Sequence, residues 1–214
     1  MVCEPGLTPC ARPLVLALQG SMAVGKTSAA RWLAAHDPAL HVCLEDNAAV
    51  LAEVRRRGLD KTRLPDYLAI QRLWIGQEVR RWQAAQAYPC TVLDFGAEEI
   101  EFYTLHYPRT IGRDWPVEEL LAPELAALRQ CMPRRILFLD APDPVLRRRK
   151  EGDAARDRGF FEHSLTALLP LKRAWFAQKG NVDVLDTARL TPDETGAAVR
   201  AWADRQRAKA GSAK

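Results

Sequence analysis

Eight consecutive residues near the amino terminus have the composition of a phosphate-binding loop. The segment reads GSMAVGKT and matches the pattern GxxxxGK[ST] at every fixed position. Its glycines allow the backbone to curl around a phosphate and to turn successive N–H groups towards it. In such a loop Lys26 bridges the β- and γ-phosphates, and the Thr27 hydroxyl ligates Mg²⁺. We therefore predict an ATP-phosphate site formed by Gly20, Ser21, Met22, Ala23, Val24, Gly25, Lys26, Thr27 and Ser28.

Two further groups of charged residues have the chemistry to support phosphoryl transfer. Asp94 ends an apolar run, and an acid at the carboxyl end of a buried strand lies at the ligand edge of an open α/β sheet, where it can hold Mg²⁺ through water. A basic segment follows later in the chain. Because a transferring phosphoryl group spreads charge over its oxygens, fixed guanidinium groups stabilise it. The alternative is a solvated helix face with i,i+4 pairs. The basic residues are Arg147, Arg148, Arg149, Lys150, Arg156 and Arg158.

The elements that must position these groups form an alternating series. Short apolar runs predict strands, and periodic segments between them predict helices, an order typical of βαβ units and a parallel sheet. The sequence TPDE at residues 191–194 predicts a capping box at the start of the last helix. Residues 107–114 are predicted to form a loop. The predicted strands are 13–19, 41–46, 91–96, 135–140 and 181–186, and the predicted helices are 27–36, 48–57, 65–84, 117–132, 144–150, 160–178 and 191–209.

The composition fits one soluble α/β domain spanning residues 1–214, with a flexible tail at 208–214. The formal charge is +4 with both signs mixed along the chain, so charge alone does not indicate nucleic-acid binding. Five widely spaced cysteines form no CxxC pair, and we expect them to be reduced. No segment has the basic start and apolar run of a signal peptide or the length of a membrane span. We therefore expect a cytoplasmic protein.

In the order of its motifs the chain resembles the small P-loop kinases, the group that includes deoxynucleoside and thymidylate (nucleoside monophosphate) kinases. The matching segments are GSMAVGKTS, LED, TVLDFG, LFLDAPDPVLRRRK and VLDT. The resemblance implies the P-loop NTPase fold, an α/β fold with a five-stranded parallel sheet in the order 2-3-1-4-5 and helices on both faces. It also implies a lid at residues 147–162, in which Arg149 and Arg156 act on the transferring phosphate and Arg147 and Arg158 contact the nucleotide.

The same resemblance implies where the phosphoryl acceptor binds. These kinases place a carboxylate at the end of the second strand as a base or orienting group, which here is Glu45 or Asp46. Adjacent strand residues face opposite ways, so spacing does not choose between them, and we favour Glu45. Gln71 matches a base-pairing glutamine, and Arg72 and Tyr103 complete the predicted substrate set. The group's deoxynucleoside kinases have an arginine after the acid of the third strand, whereas this chain has Asp94-Phe95-Gly96.

These observations predict a phosphotransferase that uses ATP and Mg²⁺ and acts on a small-molecule acceptor, with a nucleoside or nucleotide as the first choice. The catalytic residues would be Lys26, Glu45, Asp94, Arg149 and Arg156. The missing arginine keeps a second substrate class open, the hydroxyl of an antibiotic or another metabolite. An ATP-binding sensor with little turnover is the alternative from another class. We expect no nucleic-acid or membrane partner, and homodimer formation is left open.

Overall fold

A computed structural model describes residues 13–151 and 158–212. The strands are β1 (Leu14–Gly20), β2 (His41–Cys43), β3 (Cys90–Asp94), β4 (Arg135–Asp140) and β5 (Val182–Asp186). All neighbouring pairs are parallel, and the sheet order is β2-β3-β1-β4-β5. The predicted fold class and strand order are therefore confirmed. Because β1 is central and buried on both faces, its seven residues form a continuous apolar run that ends at Gln19-Gly20.

The helices that cover the sheet begin with α1 (Lys26–His36), α2 (Ala48–Arg56), α3 (Leu64–Ala85) and α4 (Ala97–Thr110). They continue with α5 (Val117–Leu120), α6 (Ala122–Arg129), α7 (Asp143–Glu151), α8 (Arg158–His163), α9 (Leu169–Ala177) and α10 (Pro192–Ser212). A π-helical turn at Ser164–Leu168 joins α8 to α9. No helix within the described ranges is both long and apolar enough to cross a membrane.

The core divides into layers on the two faces of the sheet. Leu16 and Leu18 of β1 belong to one layer with Leu33 of α1 and Trp202 of α10. The alternate β1 residues Val15 and Ala17 face the other side, against Ala85 of α3. This division follows from the two-residue side-chain period of a strand. A third cluster packs α3, α4 and α6 against one another. Its members include Tyr67, Ile75, Phe102 and Leu125.

Four details of the predicted elements were wrong. Residues 97–110 form a helix, so the predicted loop at 107–114 begins only after Thr110. The single helix predicted at 117–132 is divided at Leu121 into α5 and α6. The strand predicted at 41–46 ends at Cys43. The last helix runs to Ser212, so 208–212 of the predicted tail are helical. The capping box is confirmed, since the Thr191 backbone N–H donates to Glu194 Oε2 at 2.8 Å and the Glu194 N–H donates to Thr191 Oγ1 at 3.2 Å.

Candidate functional site

The loop between β1 and α1 has the geometry that a phosphate-binding loop needs. Gly20 has φ +135°, and a Cβ there would lie 2.1 Å from the Leu139 carbonyl oxygen, so only glycine fits. Ala23 is held at φ 61°, a left-handed conformation that is uncommon for a residue with a side chain. No side chain caps the start of α1 at Gly25, which leaves the amides of its first turn for a ligand.

The Lys26 ammonium is folded back onto this loop. It donates to the carbonyl oxygens of Gly20 at 2.9 Å and Ser21 at 2.8 Å. Burial lowers the pKa of Lys26, and the charge of Lys172 acts in the same direction. The carboxylates of Glu99, Asp94 and Glu45 oppose this and raise the pKa. Lys26 therefore lies within electrostatic reach of three acids that come from three different segments of the chain.

Asp94 is a fully buried acid at the end of β3. Neither carboxyl oxygen has a hydrogen-bond partner among the described residues. A buried carboxylate without a partner is costly, and a cation is one way to satisfy it. The Thr27 hydroxyl likewise makes no hydrogen bond within 13–151 and 158–212. No group of three His, Cys, Asp or Glu side chains in those ranges forms a metal site by itself. Thr27 and Asp94 both carry oxygen donors of the kind that Mg²⁺ prefers.

Glu45 and Asp46 have different surroundings after β2. Glu45 is partly buried, and its carboxylate accepts a hydrogen bond from the Asn47 side-chain amide at 2.7 Å. Asp46 is exposed, and its carboxylate accepts from the Ala48 N–H at 3.0 Å, at the start of α2. Asp46 thus has a local role at a helix terminus. Of these two carboxylates, Glu45 is one of the acids that raise the pKa of Lys26, after Glu99 and Asp94.

A small cleft with a volume of about 10 Å³, room for about one water molecule, lies between the end of β2, helix α3 and the turn after β3. Its aromatic walls are Trp74 and Phe95, and Phe95 has φ 76°, a conformation that often marks functional sites. Arg81 lies at the bottom of the cleft, where its guanidinium binds Glu78 at 3.0 Å and the backbone carbonyls of Cys43 and Asp94. This arginine fixes the ends of β2 and β3 relative to each other. The lining residues are Glu45, Asp46, Asn47, Trp74, Gln77, Glu78, Arg81, Phe95 and Ile100.

The other predicted substrate residues do not line this cleft. Gln71 is buried, and its side-chain carbonyl accepts from the Thr104 hydroxyl at 2.9 Å. Arg72 is bound to Glu124 of α6 at 2.6 Å. Tyr103 packs against the ammonium of Lys172, whose Nζ lies 4.7 Å from the ring centroid.

The described arginines of the segment predicted as a lid make contacts in different parts of the structure. Arg149 donates to the Thr187 carbonyl at 2.6 Å and to the Val24 carbonyl at 3.4 Å, so it joins the phosphate-binding loop to the turn after β5. Arg147 pairs with Glu162 of α8. Arg156 and the Arg158 side chain lie outside the described part of the chain. Arg149 therefore contacts the backbone of the loop at Val24.

Sequence reasoning missed three charged residues at the site, Glu78, Arg81 and Lys172, and it gave Glu99 no role. Glu78 and Arg81 had a local signal, an i,i+3 pair of opposite charge beside Trp74. Lys172 and Glu99 form an ion pair in which each side chain is only 2% exposed, but they are 73 residues apart. No local pattern indicates such a pair.

Two solved structures are similar to this chain in fold. The thymidylate kinase from Candida albicans has a TM-score of 0.61 at 13% identity, covering 92% of this chain and 93% of that one. The deoxyadenosine kinase from M. mycoides has a TM-score of 0.67 at 9% identity, covering 90% of this chain and 100% of that one. This chain has the fold of the small P-loop kinases. No family model and no curated protein matches it in sequence.

Proposed function

We propose that this protein is a phosphotransferase that moves the γ-phosphoryl group of ATP to a hydroxyl of a small molecule, with Mg²⁺ required. The observation that carries the proposal is the geometry of the phosphate-binding loop, in which Gly20 leaves no room for a side chain and the Lys26 ammonium lies against the loop, within electrostatic reach of Asp94 and Glu45. The two kinases with the same fold support it, because nucleotides are substrates of proteins so named.

Each residue has a defined task in this mechanism. Lys26 leaves the Gly20 and Ser21 carbonyls and neutralises charge on the β- and γ-phosphates. Thr27, and Asp94 through water, would hold Mg²⁺, which would supply positive charge to the phosphate oxygens. Glu45 orients the acceptor hydroxyl in the cleft and accepts its proton, and Asn47 holds that carboxylate. Catalysis then comes from positioning and charge neutralisation, without a covalent enzyme intermediate.

The first candidate acceptor is a nucleoside. Trp74 and Phe95 line the cleft with aromatic rings of the kind that stack on a base, and these side chains would have to move apart to admit a nucleoside. Gln77 also lines the cleft, and its side-chain amide donates to the Asp46 carbonyl at 2.6 Å. One observation favours a second substrate class: β3 ends in Asp94-Phe95-Gly96, with no arginine after the acid. A kinase for another hydroxyl-bearing metabolite or antibiotic is therefore the second candidate.

Transfer of label from [γ-³²P]ATP to a panel of acceptors tests the proposal. The panel pairs each nucleoside with its monophosphate and adds hydroxyl-bearing antibiotics. We expect one class to be labelled in the presence of Mg²⁺. We expect Glu45→Gln to lower kcat by about 10²- to 10⁴-fold, the usual contribution of general acid–base catalysis. Asp46→Asn is the matched control and should retain most activity. Tight ATP binding with no labelled acceptor would favour a nucleotide sensor instead.

A further inference from the structure

The ion pair between Lys172 of α9 and Glu99 of α4 is the most deeply buried pair of charges in the described ranges, with 2% exposure on each side. The Lys172 ammonium also lies 4.7 Å from the Tyr103 ring centroid and 5.5 Å from that of Phe102. Burying two charges costs desolvation free energy, so such a pair is weak evidence for stability. A role in the site therefore has to be considered.

Glu99 connects this pair to the phosphate-binding loop. When the Gln19 amide is oriented to satisfy its neighbours, its nitrogen donates to Glu99 Oε2 at 2.5 Å and its oxygen accepts from the Gly96 N–H at 3.2 Å. Gln19 is fully buried and immediately precedes Gly20. The contacts therefore run from α9 through Glu99 to Gln19, the residue that precedes the loop, and to the turn that follows Asp94.

The pair also acts on Lys26 through space. Glu99 is the strongest charge acting to raise the pKa of Lys26, and Lys172 is the strongest charge acting to lower it. The γ-phosphate of bound ATP must approach this same ammonium. Without Lys172, the full charge of Glu99 would repel the phosphate and would compete with it for Lys26.

A π-helical turn at Ser164–Leu168 immediately precedes the helix that carries Lys172. It is one continuous stretch with α8 and α9, and π turns of this kind occur often at functional sites.

We propose that Lys172 is a positioning residue for the γ-phosphate: it neutralises Glu99 and so leaves Lys26 available to the nucleotide. The inference rests on the proposed function, and it makes a specific demand. Removing Lys172 should weaken the binding of ATP much more than that of ADP, because only ATP carries the γ-phosphate. A purely structural ion pair would affect both nucleotides alike.

Calorimetric binding of MgATP and of ADP tests this demand. We expect Lys172→Met to raise the Kd for MgATP at least tenfold and the Kd for ADP less than threefold. The double variant Lys172→Met/Glu99→Gln removes both charges and should return the MgATP Kd to within threefold of wild type. Lys179→Met is the matched control, since it removes a nearby lysine that packs on Trp175 at 4.6 Å, and it should leave the Kd ratio unchanged.

Three results would overturn the inference. The first is an ATP-to-ADP ratio of Kd values that is unchanged in Lys172→Met. The second is a double variant as weak as Lys172→Met, because Lys172 would then not act through Glu99. If Lys172→Met does not fold, Glu99→Gln is tested instead and should change the ratio of the ATP and ADP Kd values in the opposite direction. An unchanged ratio in Glu99→Gln is the third result. Wild-type protein that binds neither nucleotide would reject the proposed function itself, a result distinct from these.

Discussion

Glu98 should make the fold less stable as the pH rises. The residue is 2% exposed near the start of α4, and burial raises the pKa of its carboxyl from 4.5 to about 8. The nearby acids Glu101 and Glu78 raise the pKa of Glu98 further. A hydrogen bond from the Glu98 backbone N–H and the charge of Lys179 lower this pKa, but the effect of burial is larger. One carboxyl oxygen has no hydrogen-bond partner in the described part of the chain.

The magnitude follows from proton linkage. Below pH 4.5 the folded and unfolded chains both hold the Glu98 proton, and its contribution to stability is fully present. Between that pH and about 8 the unfolded chain releases the proton while the folded chain keeps it. The free energy of unfolding then falls by about 1.4 kcal/mol per pH unit, roughly 5 kcal/mol over the whole interval. Above pH 8 the loss is complete.

Urea unfolding of wild type and Glu98→Gln at pH 5, 6.5 and 8 measures this loss. Glutamine has nearly the shape of glutamate and cannot ionise. We therefore expect the free energy of unfolding of Glu98→Gln to rise relative to that of the wild type by about 3–4 kcal/mol between pH 5 and pH 8. Glu119→Gln, at an exposed position of α5, is the control and should show no such trend. A difference between Glu98→Gln and wild type that stays constant with pH would refute the assignment of a raised pKa to this carboxyl.

Two further predictions concern the packing and capping of α10. A Cβ at Gly196 would lie 2.4–2.8 Å from ring atoms of Trp32. Gly196→Ala should therefore lower the free energy of unfolding, measured by urea titration, by about 1–3 kcal/mol. An unchanged urea midpoint would show that α1 and α10 are less closely packed than in this structure. Thr191→Ala removes the capping hydrogen bonds and should cost about 1 kcal/mol by thermal unfolding, whereas Thr191→Ser should retain most of the stability.

The parts of the fold that could be predicted are those with a local physical cause. The centre of the sheet was predictable because β1, β3 and β4 are short, buried and mainly apolar runs, and the strand order came from the family resemblance. The phosphate-binding loop and the capping box each fit within eight residues. Both depend on backbone geometry that a few fixed residue types determine.

The parts that sequence reasoning missed depend on partners far along the chain. Helix α4 begins with three glutamates that are all buried, a pattern that is unusual for a helix in a core. Two of them are explained only by distant cations, since Glu99 pairs with Lys172 and Glu101 accepts from Arg129 at 2.7 Å. Arg72 was predicted at the substrate because it lies near Gln71 in sequence, but its ion pair with Glu124 joins two helices 52 residues apart.

The central claim is that the backbone of residues 20–27 surrounds the triphosphate of ATP. Amide resonances of ¹⁵N-labelled protein, followed during titration with ATP and Mg²⁺, test it most directly. We predict that the largest shift changes fall on residues 20–28 and saturate with ATP, and that Lys26→Ala keeps its fold but needs at least tenfold more nucleotide. Saturating ATP and Mg²⁺ that leave the resonances of these residues unmoved would contradict the claim.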